Sequence, residues 1–335
     1  MNKEIDWANL GFAYMETEFR YEARFKNGKW NEGALIKGGD FTINESACVL
    51  QYAQTGFEGL KAYRQANGNI VLFRPDMNAK RFSDTCRRIM IPEISEKQFI
   101  DGVKKAVLAN EDMVPPYGVG ASLYIRPFAI GFSPIIAVKP ADEFLFRVFV
   151  TPVGPYFKGG IKPVRLVVSD YDRAAPVGTG HIKAGLNYAM SFYAGAQAQA
   201  QGFDMCLFLD SKSRKYIEET MVTNIVFVTK DKTLVIPKSK TILPSITRQS
   251  LHSIAKNLGI KCIERKVRID EISSFSECGL CGTAAIIAPV ASITHKGTET
   301  KFIGMGPLLT KLYETYQGIQ LGTVAAPKGW IQTVK

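Results

Sequence analysis

The stretch that decides the fold is residues 178–188, GTGHIKAGLNY, in which Lys183 stands among small residues and Tyr188 follows five positions later. Further along the chain, residues 218–224, EETMVTN, bring two adjacent carboxylates. A lysine amine, a phenol and a carboxylate are the three groups that hold pyridoxal phosphate. The unprotonated amine condenses with the cofactor's aldehyde, the phenol donates to its O3′ oxygen, and the carboxylate keeps its ring nitrogen protonated. We therefore consider this region a candidate cofactor site.

Taken alone, a lysine that follows glycines is more often a surface loop residue, and the phosphate-loop pattern Gly-x-x-x-x-Gly-Lys-Ser/Thr is absent. The order of four segments along the chain favours a cofactor site over a surface loop. GTGHIKAGLNYA is followed by EETMVTNIVF, then by ILPSITRQSL and then by CGTAAIIAPV. In this order the chain resembles the branched-chain amino acid aminotransferases, which are fold-type-IV pyridoxal-phosphate enzymes. The resemblance runs from about Gly11 to the C-terminal region.

The resemblance implies seven cofactor-binding residues: Arg81, Lys183, Tyr188, Glu219, Ile246, Thr247 and Thr283. Lys183 is the expected catalytic residue, bound to the aldehyde as an aldimine and then moving the substrate's α-proton. The N–H groups of Ile246 and Thr247, which open a helix, are expected to hold the phosphate. Arg81 and the Thr283 hydroxyl are expected to bind it as well. The competing interpretations are a solvated helix face for Arg81 and a strand-end turn for Thr283.

The carboxylate that serves the ring nitrogen is ambiguous from the residues alone, because Glu218 and Glu219 are adjacent. Glu219 is preferred because it lies five positions before Asn224, as in the enzymes that the chain resembles. Three residues depart from the family pattern, each where a glycine or another small residue is usual: Leu186, Thr220 and Ser245. Each departure is expected to alter local loop conformation or the packing around the cofactor.

The resemblance also implies six substrate-binding residues: Tyr14, Phe57, Tyr124, Arg126, Thr283 and Ala284. Tyr14 and Phe57 are expected to form an apolar wall. Tyr124 and Arg126, in SLYIRP, are expected to contact substrate carboxylates, with Arg126 serving the γ-carboxylate of glutamate. The backbone of residues 283–284 would hold the α-carboxylate.

Three further positions match residues that a partner subunit donates across the dimer interface: Tyr52, Ile136 and Val138. The active site is therefore expected to be complete only in a homodimer. Periodicity alone favours plain core packing for the aromatic residues of the substrate site and of this set.

The reaction implied is ping-pong transamination of leucine, isoleucine or valine with 2-oxoglutarate, which gives branched-chain 2-keto acids and L-glutamate. A D-amino acid transaminase or an aminodeoxychorismate lyase of the same fold would keep Lys183 and Glu219, but these relatives are shorter at the N-terminus. A different class, a cofactor-free basic binding protein, would use the net charge of +11. The basic residues are dispersed, which favours steering of anionic keto acids over nucleic-acid binding.

The composition, with 46% hydrophobic and 22% charged residues, is that of an ordinary globular protein. MNKEIDWANLGF lacks an apolar core of signal-peptide length, and no run of about 18 apolar residues occurs. We therefore expect a soluble, cytoplasmic protein. The six cysteines are expected to be reduced thiols. A single CxxC, Cys278 and Cys281, supplies at most half a zinc site, so no metal is expected, and a redox role for this pair stays open.

The fold class expected is α+β in two domains. Residues 1–151 read as a small N-terminal domain with hairpin signals at Asn27-Gly28 and Asn67-Gly68, a helix capped by Asp76, and a helix opened by a capping box at Ser95. A segment rich in glycine and proline, 152–163, is the expected interdomain loop. Residues 164–335 carry short apolar segments that predict strands: VRLVVS, MCLFLD, NIVFV, TLVIP, KCIERKV and AAIIAPV. Three helices are predicted among them, at residues 186–200, at 246–258 with Gly259 after the helix end, and at 307–316. Many strands with few helices predict a barrel-like cofactor-binding domain. The resemblance implies an α/β sandwich followed by a pseudo-barrel, with the cofactor in a cleft.

Overall fold

The computed structural model describes residues 5–154 and 162–335. By its contacts the chain divides into two compact units. Unit 1 consists of Met1–Lys158, Ile182–Leu186 and Gly318–Lys335, and unit 2 of Gly159–His181 and Asn187–Gln317.

The described residues form eighteen strands and six α-helices. The strands are β1 (Phe19–Lys26), β2 (Lys29–Trp30), β3 (Ala34–Lys37), β4 (Thr55–Phe57), β5 (Leu60–Arg64), β6 (Ile70–Phe73), β7 (Ser122–Gly131), β8 (Phe144–Val153), β9 (Val164–Val168), β10 (Met205–Leu209), β11 (Ile217–Thr220), β12 (Asn224–Thr229), β13 (Leu234–Pro237), β14 (Cys262–Arg265), β15 (Phe275–Gly282), β16 (Ile286–His295), β17 (Thr298–Lys301) and β18 (Ile331–Thr333). The helices are α1 (Cys48–Tyr52), α2 (Pro75–Arg88), α3 (Glu96–Leu108), α4 (Gly185–Ala200), α5 (Ile246–Asn257) and α6 (Pro307–Leu321).

Unit 1 is built on a nine-stranded antiparallel sheet with the order β18-β6-β5-β7-β8-β1-β2, in which β3 pairs with β1 and β4 with β7. One face of the sheet is covered by α2 and α3, and Phe82, Phe99 and Phe146 pack ring against ring in that core. Because successive strand residues point to opposite faces, Tyr124 and Arg126 of β7 lie on the other face of the sheet. The predicted substrate residues of β7 are therefore kept out of the hydrophobic core.

Both predicted hairpin turns are confirmed. Asn27 and Gly28 have φ values of 53° and 78° between β1 and β2, and Gly68 has a φ of 86° between β5 and β6. The prediction for the start of α2 was wrong, because Asp76 is not its cap. The helix begins with Pro75, a residue favoured at the first helical position, and is preceded by Arg74 in the left-handed region.

The capping box predicted for α3 is only half present. The Ser95 side chain accepts the N–H of Gln98, as expected for an N-cap. The Gln98 side chain does not return the bond. It donates instead to the carbonyl of Asn31 at 2.7 Å and to the Tyr21 hydroxyl at 3.3 Å, which ties the start of α3 to the first hairpin.

Unit 2 contains the barrel that the sequence predicts. The strands pair in the order β11-β10-β9-β16-β15-β12, and β12 pairs again with β11, so six strands close a ring. β13 extends from β12, β14 from β13, and β17 from β16. Two members of the ring, IEET in β11 and FSECGLCG in β15, were not predicted as strands. Their glutamate and glycine residues have low strand propensity, which the pairing on both sides overrides.

The two helices predicted near the end of unit 2 form with shifted ends. α5 ends at Asn257, and Gly259 follows it with a φ of 68°, as a glycine after a helix end is expected to do. α6 continues past the predicted end at Tyr316 to Leu321.

The division into units differs from the expected domains in two segments of 164–335. Ile182–Leu186 groups with unit 1 because its backbone pairs with β4, and Gly318–Lys335 does so because β18 pairs with β6. The expected loop at 152–163 includes residues 155–161, which lie outside the described residues.

The six cysteines are all free thiols, and Cys278 and Cys281 are fully buried in β15. Within the described residues, no cluster of histidine, cysteine, aspartate and glutamate side chains could hold a metal ion. In the same residues, no helix combines the length and the apolar character needed to cross a membrane.

Candidate active site

Lys183 is fixed in unit 1 by its own backbone. Its carbonyl accepts the N–H of Phe57 at 3.1 Å, and its N–H donates to the Thr85 hydroxyl of α2 at 3.0 Å. The next residue, Ala184, forms a β-bridge with Gly56. The side chain is half-buried, and its Nζ lies 4.8 Å from the centroid of the Phe57 ring. Lys183 is thus half-buried and held by β4 and α2, and a surface loop residue is the wrong interpretation.

The small residues around Lys183 have a steric reason. A Cβ at Gly185 would lie 2.6 Å from Thr55 Cγ2, and a Cβ at Gly56 would lie 2.9 Å from Thr85 Cγ2. Real Cβ atoms do not approach this closely, so Gly185 lets the lysine segment pack directly on β4, and Gly56 lets β4 pack directly on α2. The close approach determines where the lysine backbone lies.

Three predicted substrate residues meet next to Lys183 in unit 1. The Arg126 guanidinium lies 4.9 Å from the Phe57 ring centroid, and its Nη2 donates to the Tyr124 hydroxyl at 3.1 Å. Phe57 therefore contacts two cationic side chains, an arrangement that aromatic rings favour. Among the described residues Arg126 forms no ion pair with a carboxylate, and its Nε is buried without a hydrogen-bond partner. A structural arginine paired with an acid is not what this environment shows.

Tyr14 lies beside the face of the unit 1 sheet that carries Tyr124 and Arg126. Its ring packs edge-on against Phe149 at 5.9 Å between centroids, and Phe149 is the cross-strand partner of Arg126. The Tyr14 hydroxyl accepts a hydrogen bond from the buried Arg20 at 2.9 Å, although the tyrosine is 61% exposed. The aromatic residues of the substrate site are thus not plain core residues, and Tyr14 is largely accessible to solvent.

Arg81, the predicted phosphate ligand, is buried. Its Nε and Nη2 donate to the two carboxylate oxygens of Glu58 at 2.7 and 2.8 Å, and Asn78 donates to Glu58 as well. Glu58 is fully buried. A solvated helix face is therefore the wrong interpretation of Arg81, while its role toward a phosphate stays a prediction.

Glu219 is the centre of a buried polar cluster in unit 2. Its Oε1 accepts the N–H of Leu243 at 2.8 Å and pairs with Arg173 at 2.9 Å, and its Oε2 accepts from Asn224 at 2.6 Å. Burial raises the pKa of this carboxyl from 4.5 to about 7, and the positive charge of Arg173 is the main opposing effect. The Glu219 carboxyl is thus poised near neutral pH.

Glu218 has a different environment because neighbouring residues of β11 point to opposite faces. Its Oε1 accepts from the hydroxyl of Ser239 at 3.0 Å and from that of Thr241. The structure therefore separates the two adjacent carboxylates: an ion pair with arginine at Glu219, and hydroxyl groups at Glu218.

The departures Thr220 and Ser245 both act in local turns. The Thr220 hydroxyl bonds to Thr223 and accepts its N–H at 3.1 Å, which closes the turn between β11 and β12. Ser245 is the N-cap of α5 and accepts the N–H of Arg248 at 3.2 Å. The side chains that replace glycine thus supply hydrogen bonds for the turns in which they stand.

The predicted phosphate residues of unit 2 lie at element ends. Ile246 and Thr247 are buried and form the first turn of α5, where N–H groups have no partner within the helix. Thr283 and Ala284 lie in the turn between β15 and β16 and are half-buried. This is the strand-end turn considered for Thr283, and it is compatible with ligand binding.

Tyr188 lies at the start of α4 and is half-buried. The residue before it, Asn187, exchanges two hydrogen bonds of 2.7 Å with Thr179, one from the Thr179 hydroxyl and one to its carbonyl. These two bonds join the residues on either side of the Lys183 segment, Thr179 before it and Asn187 after it.

The three positions predicted to serve a partner subunit form an exposed patch in unit 1. Tyr52 donates to the carbonyl of Ile136, and the exposed fractions are 40% for Tyr52, 79% for Ile136 and 87% for Val138. Tyr52 and Val138 also line a cavity of about 320 Å³ together with Leu186, the third departure from the family pattern.

Sequence reasoning missed four residues that hold these groups in place: Glu58, Thr85, Arg173 and Asn224. Only Asn224 had a signal, since it ended the stretch used to choose Glu219. The others are single residues whose partners lie far away in the chain, and no local pattern identifies them.

Comparison with known proteins decides the family. A model of the amino-transferase class IV family matches residues 55–293. The branched-chain-amino-acid aminotransferase of Haemophilus influenzae is 46% identical over 345 residues, which cover 99% of this chain and 100% of that protein. The enzyme of the same name from Helicobacter pylori is 45% identical over 98% of each chain. The chain belongs to the branched-chain-amino-acid aminotransferase family.

Solved structures agree on the fold of this aminotransferase family. The branched-chain amino acid aminotransferase of Escherichia coli superposes with a TM-score of 0.81 at 24% identity, covering 96% of this chain and 100% of that one. The enzyme of Thermobaculum terrenum, crystallised in its PLP-form, gives a TM-score of 0.79 at 25% identity with the same coverage. The fold-type-IV architecture that the sequence predicts is therefore confirmed.

Proposed function

We propose that this aminotransferase moves the amino group of leucine, isoleucine or valine to 2-oxoglutarate with pyridoxal phosphate, in ping-pong order. The observation that carries the proposal is the cluster on unit 1, where the Lys183 amine and the Arg126 guanidinium both contact the Phe57 ring. An amine, an apolar surface and a cation are the three groups that this pair of substrates requires. The names of the relatives in Haemophilus influenzae and Helicobacter pylori support the same activity.

The residues present fit the cofactor. A carboxylate offers about four acceptor positions, and the described contacts of Glu219 use two on Oε1 and one on Oε2. One position on Oε2 remains for the protonated ring nitrogen. The first turn of α5 offers N–H groups of the kind that bind phosphate. Bound pyridoxal phosphate would supply an electron sink for the negative charge at the substrate's α carbon.

Each residue of the chain has a separate task in the proposal. The Lys183 amine would take the proton from the α carbon of the amino acid and deliver it to the carbon that was the cofactor's aldehyde, so that the nitrogen stays with the cofactor. Glu219 holds the proton on the ring nitrogen, and Tyr188 donates to the ring oxygen. Arg81, with the N–H groups at the start of α5, anchors the phosphate, and Glu58 keeps that guanidinium oriented.

The two substrates differ in one respect, because leucine carries an isobutyl group where glutamate carries a carboxylate. The Phe57 ring offers apolar contact to the first. Arg126 has a buried Nε without a partner and can compensate the desolvation of the second. Both demands can be met because the Arg126 guanidinium lies over the rings of Phe57 and Tyr124, 4.9 and 5.3 Å from their centroids.

We also propose a homodimer in the cytoplasm. Tyr52, Ile136 and Val138 expose apolar surface. Two residues of α4 do so as well, since Phe192 is 64% exposed and Tyr193 is 59% exposed. Tyr52, Ile136 and Val138 lie together, since Tyr52 bonds to Ile136 and lines one cavity with Val138, and an exposed apolar patch of this kind is typical of a protein interface. Six free cysteines are typical of a reducing compartment.

The test is a spectrophotometric assay of the purified protein with a panel of amino donors and 2-oxoglutarate. We expect turnover with L-leucine, L-isoleucine and L-valine and a cofactor absorbance band that is lost on hydroxylamine treatment. Preference for D-amino acids would favour the D-amino acid transaminase of the same fold. Absence of the band after reconstitution with pyridoxal phosphate would refute the proposal.

A further inference from the structure

Arg173 connects three segments of unit 2 through one terminal nitrogen. Its Nη2 lies 2.9 Å from Glu219 Oε1, 2.6 Å from the carbonyl of Gly180 and 2.9 Å from the carbonyl of Thr241. Gly180 belongs to the loop before Lys183, and Thr241 to the loop before α5. The Arg173 side chain is only 5% exposed. A single buried guanidinium therefore joins the carboxylate of β11 to both loops.

The charges around Glu219 explain why a cation is needed there. Burial of a carboxylate favours its protonated form, and the nearby Glu218 acts in the same direction. Three groups lower the pKa of Glu219 and so oppose the effect of burial: Arg173 most strongly, the Leu243 N–H less, and Arg248 least. Without Arg173, the buried carboxyl would keep its proton at higher pH.

We propose that Arg173 is a positioning residue that keeps Glu219 ionised and holds the loops of Gly180 and Thr241 against it. It acts through Glu219 and does not itself touch the cofactor. This inference rests on the proposed function, since an ionised Glu219 matters for a ligand with a protonated ring nitrogen. It goes further in naming the residue that sets the charge of the carboxylate.

The first experiment measures the protonation of Glu219 without any cofactor. The C=O stretch of its protonated carboxyl is followed by infrared difference spectroscopy against pH in the cofactor-free protein, and Glu219→Gln identifies the band. In Arg173→Met we expect the midpoint to rise by about one pH unit or more. Arg173→Lys keeps the charge and should leave the midpoint close to that of the wild-type protein.

A matched control is available in unit 1. Arg147 has the same 5% exposed side chain, an ion pair of 2.6 Å with Glu22, and a hydrogen bond to the carbonyl of Gly39. Arg147→Met removes a buried arginine of the same kind from another place. It should leave the Glu219 midpoint unchanged, which separates a specific effect on Glu219 from a general loss of stability.

The second experiment measures the dissociation constant of pyridoxal phosphate by equilibrium dialysis. Arg173→Met should raise it about tenfold or more, and only several-fold when Glu219→Gln is already present, because only the bonds to the two loops are then lost. If Arg173→Met does not fold, Arg173→Lys carries the test: the midpoint stays, while loss of the bonds to the two loops raises the dissociation constant several-fold.

The outcomes separate this inference from the proposed function. An unchanged midpoint in Arg173→Met overturns the inference, and so does an equal rise in Arg173→Lys or an additive effect of Arg173→Met and Glu219→Gln on cofactor binding. If the wild-type protein does not bind pyridoxal phosphate, the proposed function fails. The infrared titration then still decides whether Arg173 controls the charge of Glu219.

Discussion

Replacing Glu219 by glutamine should stabilise the cofactor-free protein at neutral pH while slowing the enzyme. Glutamine is neutral and has nearly the same shape as a protonated glutamate, so the substitution mimics the protonated state. In the folded protein, burial favours that state. The ionised carboxylate is therefore a cost in stability that catalysis requires, as is common for functional residues.

The magnitude follows from the pKa of the carboxyl. Its rise from 4.5 to about 7 corresponds to about 3 kcal/mol, at about 1.4 kcal/mol for each tenfold change. The folded state binds the proton more tightly than the unfolded state, so this contribution is fully present below about pH 4.5 and is lost as the pH rises through about 7. Arg173 and Arg248 lower this pKa and Glu218 raises it, and the value of about 7 already contains their effects.

The assay is urea unfolding of cofactor-free wild-type protein and Glu219→Gln, followed by circular dichroism over a pH series. The free energies should coincide near about pH 4.5 and differ by about 3 kcal/mol in favour of the variant near about pH 8. Since a protein with two units can unfold in more than one step, the same transition must be compared in both proteins. In the loaded enzyme, turnover of the variant should fall on the order of 100-fold.

A constant difference across the pH series would refute the reasoning, because it would mean that Glu219 titrates alike in the folded and unfolded states. A wild-type protein that is the more stable of the two near pH 8 would refute it as well. Wild-type turnover in Glu219→Gln would instead leave the stability argument in place and show that another carboxylate serves the ring nitrogen.

Three further predictions concern unit 1. Borohydride reduction of the loaded enzyme and peptide mass mapping should place the pyridoxyl group on Lys183, and its appearance on another lysine would contradict the site assignment. Arg126→Leu should slow the glutamate half-reaction about 100-fold and the leucine half-reaction much less, since only the former has a γ-carboxylate; stopped-flow measurement of each half-reaction checks this. Gly59→Ala should raise KM several-fold without changing cofactor affinity, because a Cβ there would overlap the Tyr124 hydroxyl; an unchanged KM would speak against a substrate role for Tyr124.

The parts of the fold that the sequence predicted are those with a local cause. Asn27 and Gly28 adopt positive φ values at little cost, which marks the first hairpin, and Ser95 has the side chain needed to cap α3. The strand β11 had no such cause. Its residues, IEET, include two adjacent carboxylates, and they form a strand because β10 and β12 pair with it on either side.

The same distinction holds for the candidate site. The small residues beside Lys183 are visible in the sequence, and in the structure Gly185 packs against Thr55 of β4. The bonds that hold the charged groups could not be predicted in this way. Arg173 meets Glu219, and Arg81 meets Glu58, only because the fold brings distant segments together, and an arginine carries no local signature of its partner.

The choice between Glu218 and Glu219 shows how a spacing rule becomes geometry. Glu219 was preferred because Asn224 follows five positions later, a rule without a physical reason in the sequence. In the structure the two residues are direct cross-strand partners at the ends of β11 and β12, and the asparagine donates to the carboxylate at 2.6 Å. Thr220 closes the turn between them with its hydroxyl. A spacing of five is thus the length of a hairpin that places the Asn224 amide opposite the Glu219 carboxylate. Glu218 cannot take this place, because successive residues of a strand point to opposite faces of the sheet.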